Sequence, residues 1–223
     1  MSRPPRIVAA SLLARAFRLL PYRRRLDAAI AISRALPVPA RYRMPLETRR
    51  DAAARVVVRA LGYAGLPFAA NIGVDGAEAL RDAYREHGSL LLVGGHLLLT
   101  GLFLRWLHEQ GYAFATVRWF PPDPPHLLGT SAPQDYLVVS QQVLVQIRTR
   151  LRRGAIVVLT VDSPDGHEFN DTILHFAQRA GVPLLFFDTR VRGGNIVANV
   201  RRPAGATPAA MVEELRAFLT PLE

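Results

Sequence analysis

Apolar and polar residues alternate along the chain in two different patterns, and the change comes near Gly62. Before that point, apolar residues recur at the three- and four-residue spacing of an amphipathic helix, with arginines between them. Prolines divide this pattern, so it predicts helices over about residues 5–20, 24–36 and 46–62. After Gly62, short apolar runs typical of buried strands alternate with segments of helical periodicity.

The second pattern predicts an alternation of strands and helices. The predicted strands lie near residues 69–74, 89–93, 112–117, 155–161, 182–188 and 196–200, and the predicted helices near 77–86, 97–110, 134–151, 170–180 and 208–219. Several strands are apolar at nearly every position, which is typical of strands covered on both faces. The two glycines between Arg192 and Asn195 predict a hairpin turn. The sequence therefore predicts the α/β class, with a mostly parallel central sheet covered by helices and an N-terminal helical segment.

The length of 223 residues suits one globular domain. We expect residues 1–62 to form an N-terminal basic amphipathic helical segment within the same domain as an α/β core of residues 63–223. The chain has no cysteine, which excludes disulfides, a thiol nucleophile and cysteine-ligated zinc. Its histidines do not show the spacing of metal ligands either.

Positive charge is concentrated at the N-terminus. Residues 1–60 hold 14 arginines and three carboxylates, a net charge of +11, whereas the whole chain carries +10. The residues between the arginines are aliphatic, which favours an anionic membrane surface over nucleic acid as the partner. No apolar run reaches the roughly 20 residues that cross a bilayer, so we expect contact with a membrane without spanning it. The alternative is that these helices pack on the protein with their arginines in solvent.

Three predicted strands end in polar or charged residues. The first runs through two glycines into His96, the second ends in Arg118 before a proline-rich loop, and the third leads to Asp162 and Asp165. The carboxyl ends of parallel strands meet at one edge of the sheet, where α/β proteins bind their ligands. The sequence therefore predicts one site that contains these side chains.

The residue types at this predicted site suit acyl transfer. A neutral imidazole can take the proton of a hydroxyl while its oxygen attacks an acyl carbonyl, so His96 is a candidate general base. A guanidinium can hold a phosphate or carboxylate, which is the candidate role of Arg118, and Asp162 or Asp165 could orient the imidazole. Structural interpretations stay open, because a histidine after a strand is more often structural. Arg118 could form a surface ion pair, and residues 162–166 are also an ordinary turn sequence.

In order and spacing, these segments resemble the lysophospholipid acyltransferase superfamily, most of all the bacterial branch of late lipid A acyltransferases. Members typically have an apolar strand, small residues and then His-x-x-x-x-Asp/Glu, and residues 91–96 are similar to the first part. Residues 117–125 resemble the family's strand with an arginine- and proline-rich end. Residues 152–166 resemble its basic helix end, glycine and strand that ends in aspartate. The likeness extends over most of the chain.

The resemblance implies transfer of a fatty acyl group from a thioester, on acyl carrier protein or coenzyme A, to a hydroxyl or amine of a lipid-like acceptor. It implies that His96 is the general base and that Arg118 binds a phosphate of donor or acceptor. We also expect Gly95 and Gly166 to bind substrate, since a small residue after a strand permits close approach to the backbone. No cofactor or metal is expected besides the donor. The implied location is the cytoplasmic face of the bacterial inner membrane, or the cytoplasm, with acidic carrier protein and an anionic membrane surface as partners and no nucleic acid.

One position departs from the family pattern, because the residue five places after His96 is Gly101. In the family an acidic residue there orients the imidazole, which glycine cannot do. We expect Asp162 or Asp165 to replace it. The alternative is a catalytically inactive homologue that binds acyl chains or lipids within a biosynthetic complex.

Overall fold

The computed structural model describes residues 16–38, 48–63, 66–69, 71–95, 99–122, 126–128, 130–160 and 171–220. Its N-terminal part contains a short 3₁₀ helix, Tyr22–Arg24, then helix α1, Arg25–Ser33, and helix α2, Arg49–Tyr63. The other described helices are α3 (Ala77–His87), α4 (Thr100–Glu109), α5 (Val143–Arg152), α6 (Thr172–Ala180) and α7 (Pro208–Leu219). The described strands are β1 (Gly73–Asp75), β2 (Leu90–Gly94), β3 (Phe114–Arg118), β4 (Tyr136–Val138), β5 (Ile156–Thr160), β6 (Leu184–Arg192) and β7 (Asn195–Arg201).

The seven strands form one sheet in the order β1-β7-β6-β2-β5-β3-β4. The five strands from β6 to β4 run parallel, while β7 is antiparallel to β6 and β1 is parallel to β7. The antiparallel pair is joined by the predicted hairpin, whose Gly193 and Gly194 have φ values of 56° and 88°. A two-residue hairpin turn of type I′ needs this left-handed conformation at both central residues, and glycine adopts it without strain. The predicted fold class, a mostly parallel α/β sheet, is confirmed.

Helices cover both faces of the sheet, as its apolar strands require. Helices α3 and α4 pack on the first face, called here the α4 face, while α5, α6 and α7 pack on the second, the α6 face. Strand β2 shows the alternation, because Leu90 and Leu92 join the α4-face cluster and Leu91 and Val93 join the α6-face cluster.

Several helix ends follow local sequence signals. Helix α7 begins with Pro208, and the Thr207 hydroxyl before it accepts a hydrogen bond of 3.3 Å from the amide of Ala210. Helix α6 ends at Ala180, and Gly181 after it, with a φ of 61°, turns the chain toward strand β6. These signals explain why the predicted and observed bounds of both helices agree closely.

The N-terminal helices form a third apolar cluster. Leu26 and Ile30 of α1 pack with Val58 and Leu61 of α2, and the cluster continues to Leu102 in the first turn of α4. Most apolar side chains of α1 and α2 therefore face the protein interior, beside the end of the sheet where α4 begins, while Ile32 and Val56 are exposed. Within the described residues, no helix combines the length and apolar character needed to cross a bilayer.

The predicted helix over residues 134–151 is wrong at its start. Residues 136–138 form the edge strand β4, in which Leu137 is buried while Tyr136 and Val138 are exposed. This alternation with period two is that of a strand with one covered face. The helix begins only at Val143, after a turn at residues 140–142.

Strand β6 is longer than predicted, because it continues through buried charged residues. Asp188 and Arg190 are almost fully buried, and Nε of Arg190 donates to Oδ2 of Asp188 at 2.8 Å. Asp51 of α2 lies 3.8 Å from Nη1 of Arg190 and accepts a hydrogen bond of 2.8 Å from the amide of Val191. Paired charges can remain in a core where single ones cannot. The cluster thereby fastens α2 to the central sheet.

Candidate functional site

The carboxyl ends of β2, β5 and β3 form one row of residues on the α4 face. Gly94 is in register with Thr160 of β5, and both continue the positions whose side chains join the α4-face cluster. Arg118 ends β3, the strand beyond β5, and it follows Phe114 by four positions on the same face. We call Gly94, Thr160 and Arg118 the edge row. Neighbouring strands lie about 4.8 Å apart, so the backbones of Gly94 and Arg118 are separated by about 10 Å.

Four residues predicted for the site, His96, Asp162, Asp165 and Gly166, lie outside the described residues. The chain reaches both undescribed segments from neighbouring strand ends, since β2 leads through Gly95 to residue 96 and β5 leads from Thr160 to residue 161. Gly95 itself is buried directly beyond β2. Both undescribed segments therefore begin at neighbouring strand ends, on the edge of the sheet where Arg118 lies.

Gly94 is required for packing within the sheet. A Cβ atom added there would lie 2.5 Å from the carbonyl oxygen of Phe187 and 2.8 Å from its ring. Neither the backbone of β6 nor a buried ring can move away easily. The space that a small residue leaves at position 94 is therefore occupied by Phe187, and a ligand could approach only beyond it, from Gly95 onward.

Arg118 is half-buried, and all of its hydrogen-bond partners among the described residues are neutral. Its Nε donates to Oγ1 of Thr116 at 3.1 Å. With its amide oxygen turned toward the guanidinium, Gln134 accepts a hydrogen bond of 2.8 Å from Nη2 of Arg118 and one of 3.1 Å from the Thr116 hydroxyl. Burial lowers the pKa of Arg118 below its ordinary value, although the guanidinium stays charged at neutral pH.

The described residues contain no carboxylate within 4.0 Å of Arg118, so the surface ion pair considered for it from the sequence is not formed there. A guanidinium that is partly removed from water and bonded only to neutral groups attracts anions. Its fork of N–H donors suits the oxygens of a phosphate or carboxylate. The geometry at the end of β3 can therefore bind an anionic group beside the edge row.

Thr116 and Gln134 are functional candidates that sequence reasoning missed. Thr116 was detectable, because it precedes Arg118 by two residues in a strand and must share its face. Gln134 falls where the sequence predicted the start of a helix, and it carries no pattern that relates it to Arg118. Only the pairing of β4 with β3 brings it near.

Gly101 is the second residue of α4, whose first turn contains no acidic residue. A Cβ atom at Gly101 would meet only Leu128, at an ordinary contact distance of 3.7 Å, so the backbone does not require glycine. The preceding hydroxyl, that of Thr100, is buried without a hydrogen-bond partner among the described residues. The start of α4 therefore provides neither the family's carboxylate nor a replacement for it.

Arg105 in α4 is a buried anchor that the sequence did not reveal. Its Nε donates to Glu109 at 2.7 Å and its Nη2 to the Tyr22 hydroxyl at 2.6 Å. Its Nη1 donates to the carbonyl oxygens of Phe68 and, at 3.3 Å, Leu128. Arg105 thus joins α4 to the N-terminal segment and to the loop that follows β3.

A cleft of about 480 Å³ lies on the other side of the sheet, between α5 and α6. Leu144 and Phe176 line it and also pack against the α6-face cluster. Arg118 belongs to the α4 face, so this cleft does not lead to it. No group of three histidine, aspartate or glutamate side chains suited to a metal ion occurs in the part of the chain that the structure describes.

In comparisons with known proteins, no family model and no curated sequence matches this chain. Its function is therefore inferred from its own residues and their geometry.

Proposed function

We propose that this chain is a peripheral-membrane acyltransferase that moves a fatty acyl group from an acyl thioester to a lipid-like acceptor. The donor is acyl carrier protein or coenzyme A in acylated form, and the acceptor group is a hydroxyl or amine. The motifs that resemble the lysophospholipid acyltransferase superfamily support this proposal. The observation that carries it is the environment of Arg118 at the end of β3. Its guanidinium is half-buried, its partners among the described residues are neutral, and the chain continues to His96 from the same edge of the sheet.

In this proposal Arg118 binds a phosphate of the acceptor or donor. The backbones of Gly94 and Arg118 are about 10 Å apart, so a phosphate bound by Arg118 would lie on the same edge of the sheet as the start of the segment that contains His96. Thr116 and Gln134 hold the guanidinium in place. Such positioning fixes the substrate relative to the catalytic base.

The chemical step begins when the His96 imidazole takes the proton from the acceptor oxygen or nitrogen. That atom attacks the thioester carbonyl carbon and forms a tetrahedral intermediate. The intermediate collapses as the carbon–sulfur bond breaks, and the leaving thiolate receives the proton from the imidazolium. Asp162 or Asp165 orients the imidazole, and Gly95 and Gly166 let the substrate approach the backbone. The step needs no cofactor or metal.

The proposed location is the cytoplasmic face of the bacterial inner membrane. The N-terminal basic segment supplies charge for anionic lipid, and it suits the acidic surface of acyl carrier protein as well. The absence of a membrane-crossing helix from the described residues is compatible with peripheral attachment.

The test is an acyl-transfer assay with radiolabelled acyl carrier protein and acyl-coenzyme A as separate donors and a lysophospholipid as acceptor. We expect His96→Ala to lower kcat by about 10²-fold or more, as for loss of a general base. Arg118→Ala should mainly raise KM for the phosphate-bearing substrate. The matched control is Arg152→Ala, because Arg152 is an exposed arginine at the end of α5, which leads to the opposite edge of the sheet. Activity that survives unchanged in His96→Ala would overturn this mechanism.

Gly101 supports a second candidate, an inactive homologue that binds acyl chains or lipids. Without an acidic residue in the first turn of α4, the imidazole lacks the family's orienting group. This candidate predicts saturable binding of a fluorescent fatty acid with no turnover of either thioester. Turnover that depends on His96 excludes it.

A further inference from the structure

Two aromatic side chains directly after Arg118 are exposed to solvent. Trp119 is 61% exposed and Phe120 is 79% exposed, which makes them the most exposed aromatic residues of the described chain. The other tryptophan, Trp106, is only half-buried but stacks on Phe103 with ring centroids 5.9 Å apart. Trp119 and Phe120 belong to none of the three apolar clusters.

The edge strand also exposes an apolar side chain beside Arg118. Val138 of β4 is in register with Arg118 and is 39% exposed, and the amide of Val139 donates to the carbonyl oxygen of Arg118 at 2.8 Å. Pro121 follows Phe120, and its ring restricts the backbone there. The pair is thus held at the corner of the sheet next to the guanidinium.

We infer that Trp119 and Phe120 insert into the headgroup region of an anionic phospholipid bilayer, with Arg118 at the level of the lipid phosphates. Tryptophan favours this region because its ring is apolar while its N–H can still bind water or a headgroup. The net charge of +10 attracts the protein to an anionic surface. The role of this contact, which is to deliver a lipid acceptor directly to Arg118, rests on the proposed function, but the contact itself needs no catalysis.

The chain contains two tryptophans, so fluorescence can report on each separately. The Trp106→Phe variant keeps Trp119 as its only tryptophan. The Trp119→Phe variant keeps only Trp106, which stacks on Phe103. The probes are vesicles of phosphatidylglycerol and phosphatidylcholine in equal parts, with and without bromine on the acyl chains. We expect Trp119 emission to shift to shorter wavelength and to be quenched by the brominated lipid, whereas Trp106 emission stays unchanged.

Vesicle sedimentation gives the second readout. Trp119→Ser with Phe120→Ser should weaken binding to the anionic vesicles by about tenfold or more, because two exposed aromatics no longer enter the interface. The matched control is Val145→Ser, which removes an exposed apolar side chain of α5. Vesicle binding with unchanged Trp119 emission overturns the inference, as does a lack of vesicle binding or an equal response to pure phosphatidylcholine.

The two proposals fail in different ways. His96→Ala removes the proposed base and should leave Trp119 insertion unchanged. If the wild-type chain transfers no acyl group but Trp119 inserts, the proposed function is wrong and the membrane contact stands. If acyl transfer depends on His96 while Trp119 responds only to acidic carrier protein, the membrane contact is wrong and the proposed function stands.

Discussion

Replacement of Gly101 by alanine is expected to stabilise the protein. Glycine inside a helix costs about 0.5–1 kcal/mol relative to alanine, because its unfolded backbone has more freedom to lose. The new methyl group would meet only the Leu128 side chain, at 3.7 Å, so the site accepts it without strain. For a domain of this size the gain corresponds to a rise in Tm of about 1–4 °C.

Gly62 provides a matched control for this prediction. It also lies in a helix, near the end of α2, and it also faces Leu128, but a Cβ there would come within 2.7 Å of Cδ1 of Leu128. The Leu128 side chain must move to admit it, so Gly62→Ala should gain less than Gly101→Ala or lose stability. Thermal unfolding followed by circular dichroism measures both. A lower Tm for Gly101→Ala than for Gly62→Ala would refute the reasoning about this contact.

Gly101→Asp tests the catalytic side of the same position. A carboxylate in the first turn of α4 is favoured by the helix dipole by about 0.3–1 kcal/mol, so the variant should fold. In the serine-protease triad, loss of the orienting aspartate costs about 10⁴-fold in kcat, so even partial restoration should raise kcat by about tenfold or more. If Asp162 or Asp165 already orients His96, Asp162→Asn or Asp165→Asn lowers kcat instead. No effect in any of the three variants would refute the idea that a carboxylate assists His96.

Two further substitutions test the charged groups. Gln134→Glu places a carboxylate within hydrogen-bond reach of Arg118. Because this carboxylate would neutralise the guanidinium in place of the substrate, KM for the phosphate-bearing substrate should rise by about tenfold or more. An unchanged KM would contradict the role of Arg118 in binding phosphate. Arg190→Met leaves the buried carboxylate of Asp188 without its 2.8 Å partner and should cost about 3–5 kcal/mol in urea unfolding. Arg192→Ala, which removes an exposed side chain 3.9 Å from Asp188, should cost less than about 1 kcal/mol; equal losses would contradict the buried-pair argument.

The central strands can be predicted from the sequence because each is apolar at almost every position. The predicted strand 89–93 and the observed β2, Leu90–Gly94, differ by one residue at each end. Strand β4 has three residues, two of them exposed, and only its pairing with β3 makes it a strand. That pairing joins distant parts of the chain, so no local pattern reveals it.

The charged end of β6 escapes prediction for a related reason. Charged residues normally mark the end of a buried strand, so the prediction stopped at Asp188. Arg190 pairs with Asp188, and Asn199 of β7 donates to the same carboxylate, which lets the strand continue inside the protein. The sequence shows the individual charges but not that they neutralise each other in the fold.

For the candidate site, the sequence identifies Arg118 as a residue at a strand end but cannot supply its surroundings. Its partner Gln134 comes from the far end of the long connection between β3 and β4. Whether an arginine at such a position is structural or functional depends on those partners. The proposal that Arg118 binds an anion therefore depends on its contacts with Thr116 and Gln134, which become visible only in the fold.

Two other buried arginines of this chain can be compared with Arg118. Arg190 is paired with Asp188 at 2.8 Å, and Arg105 is paired with Glu109 at 2.7 Å, so each has a carboxylate to offset the cost of leaving water. Both arginines also connect elements through further contacts, Arg105 to the Tyr22 hydroxyl and Arg190 to Asp51 of α2. Arg118 is also partly removed from water, yet its described partners are neutral. A bound anion would offset this desolvation in the way that the carboxylates do for the other two, and that difference is the physical reason for the proposal that Arg118 binds substrate while the other two arginines stabilise the fold.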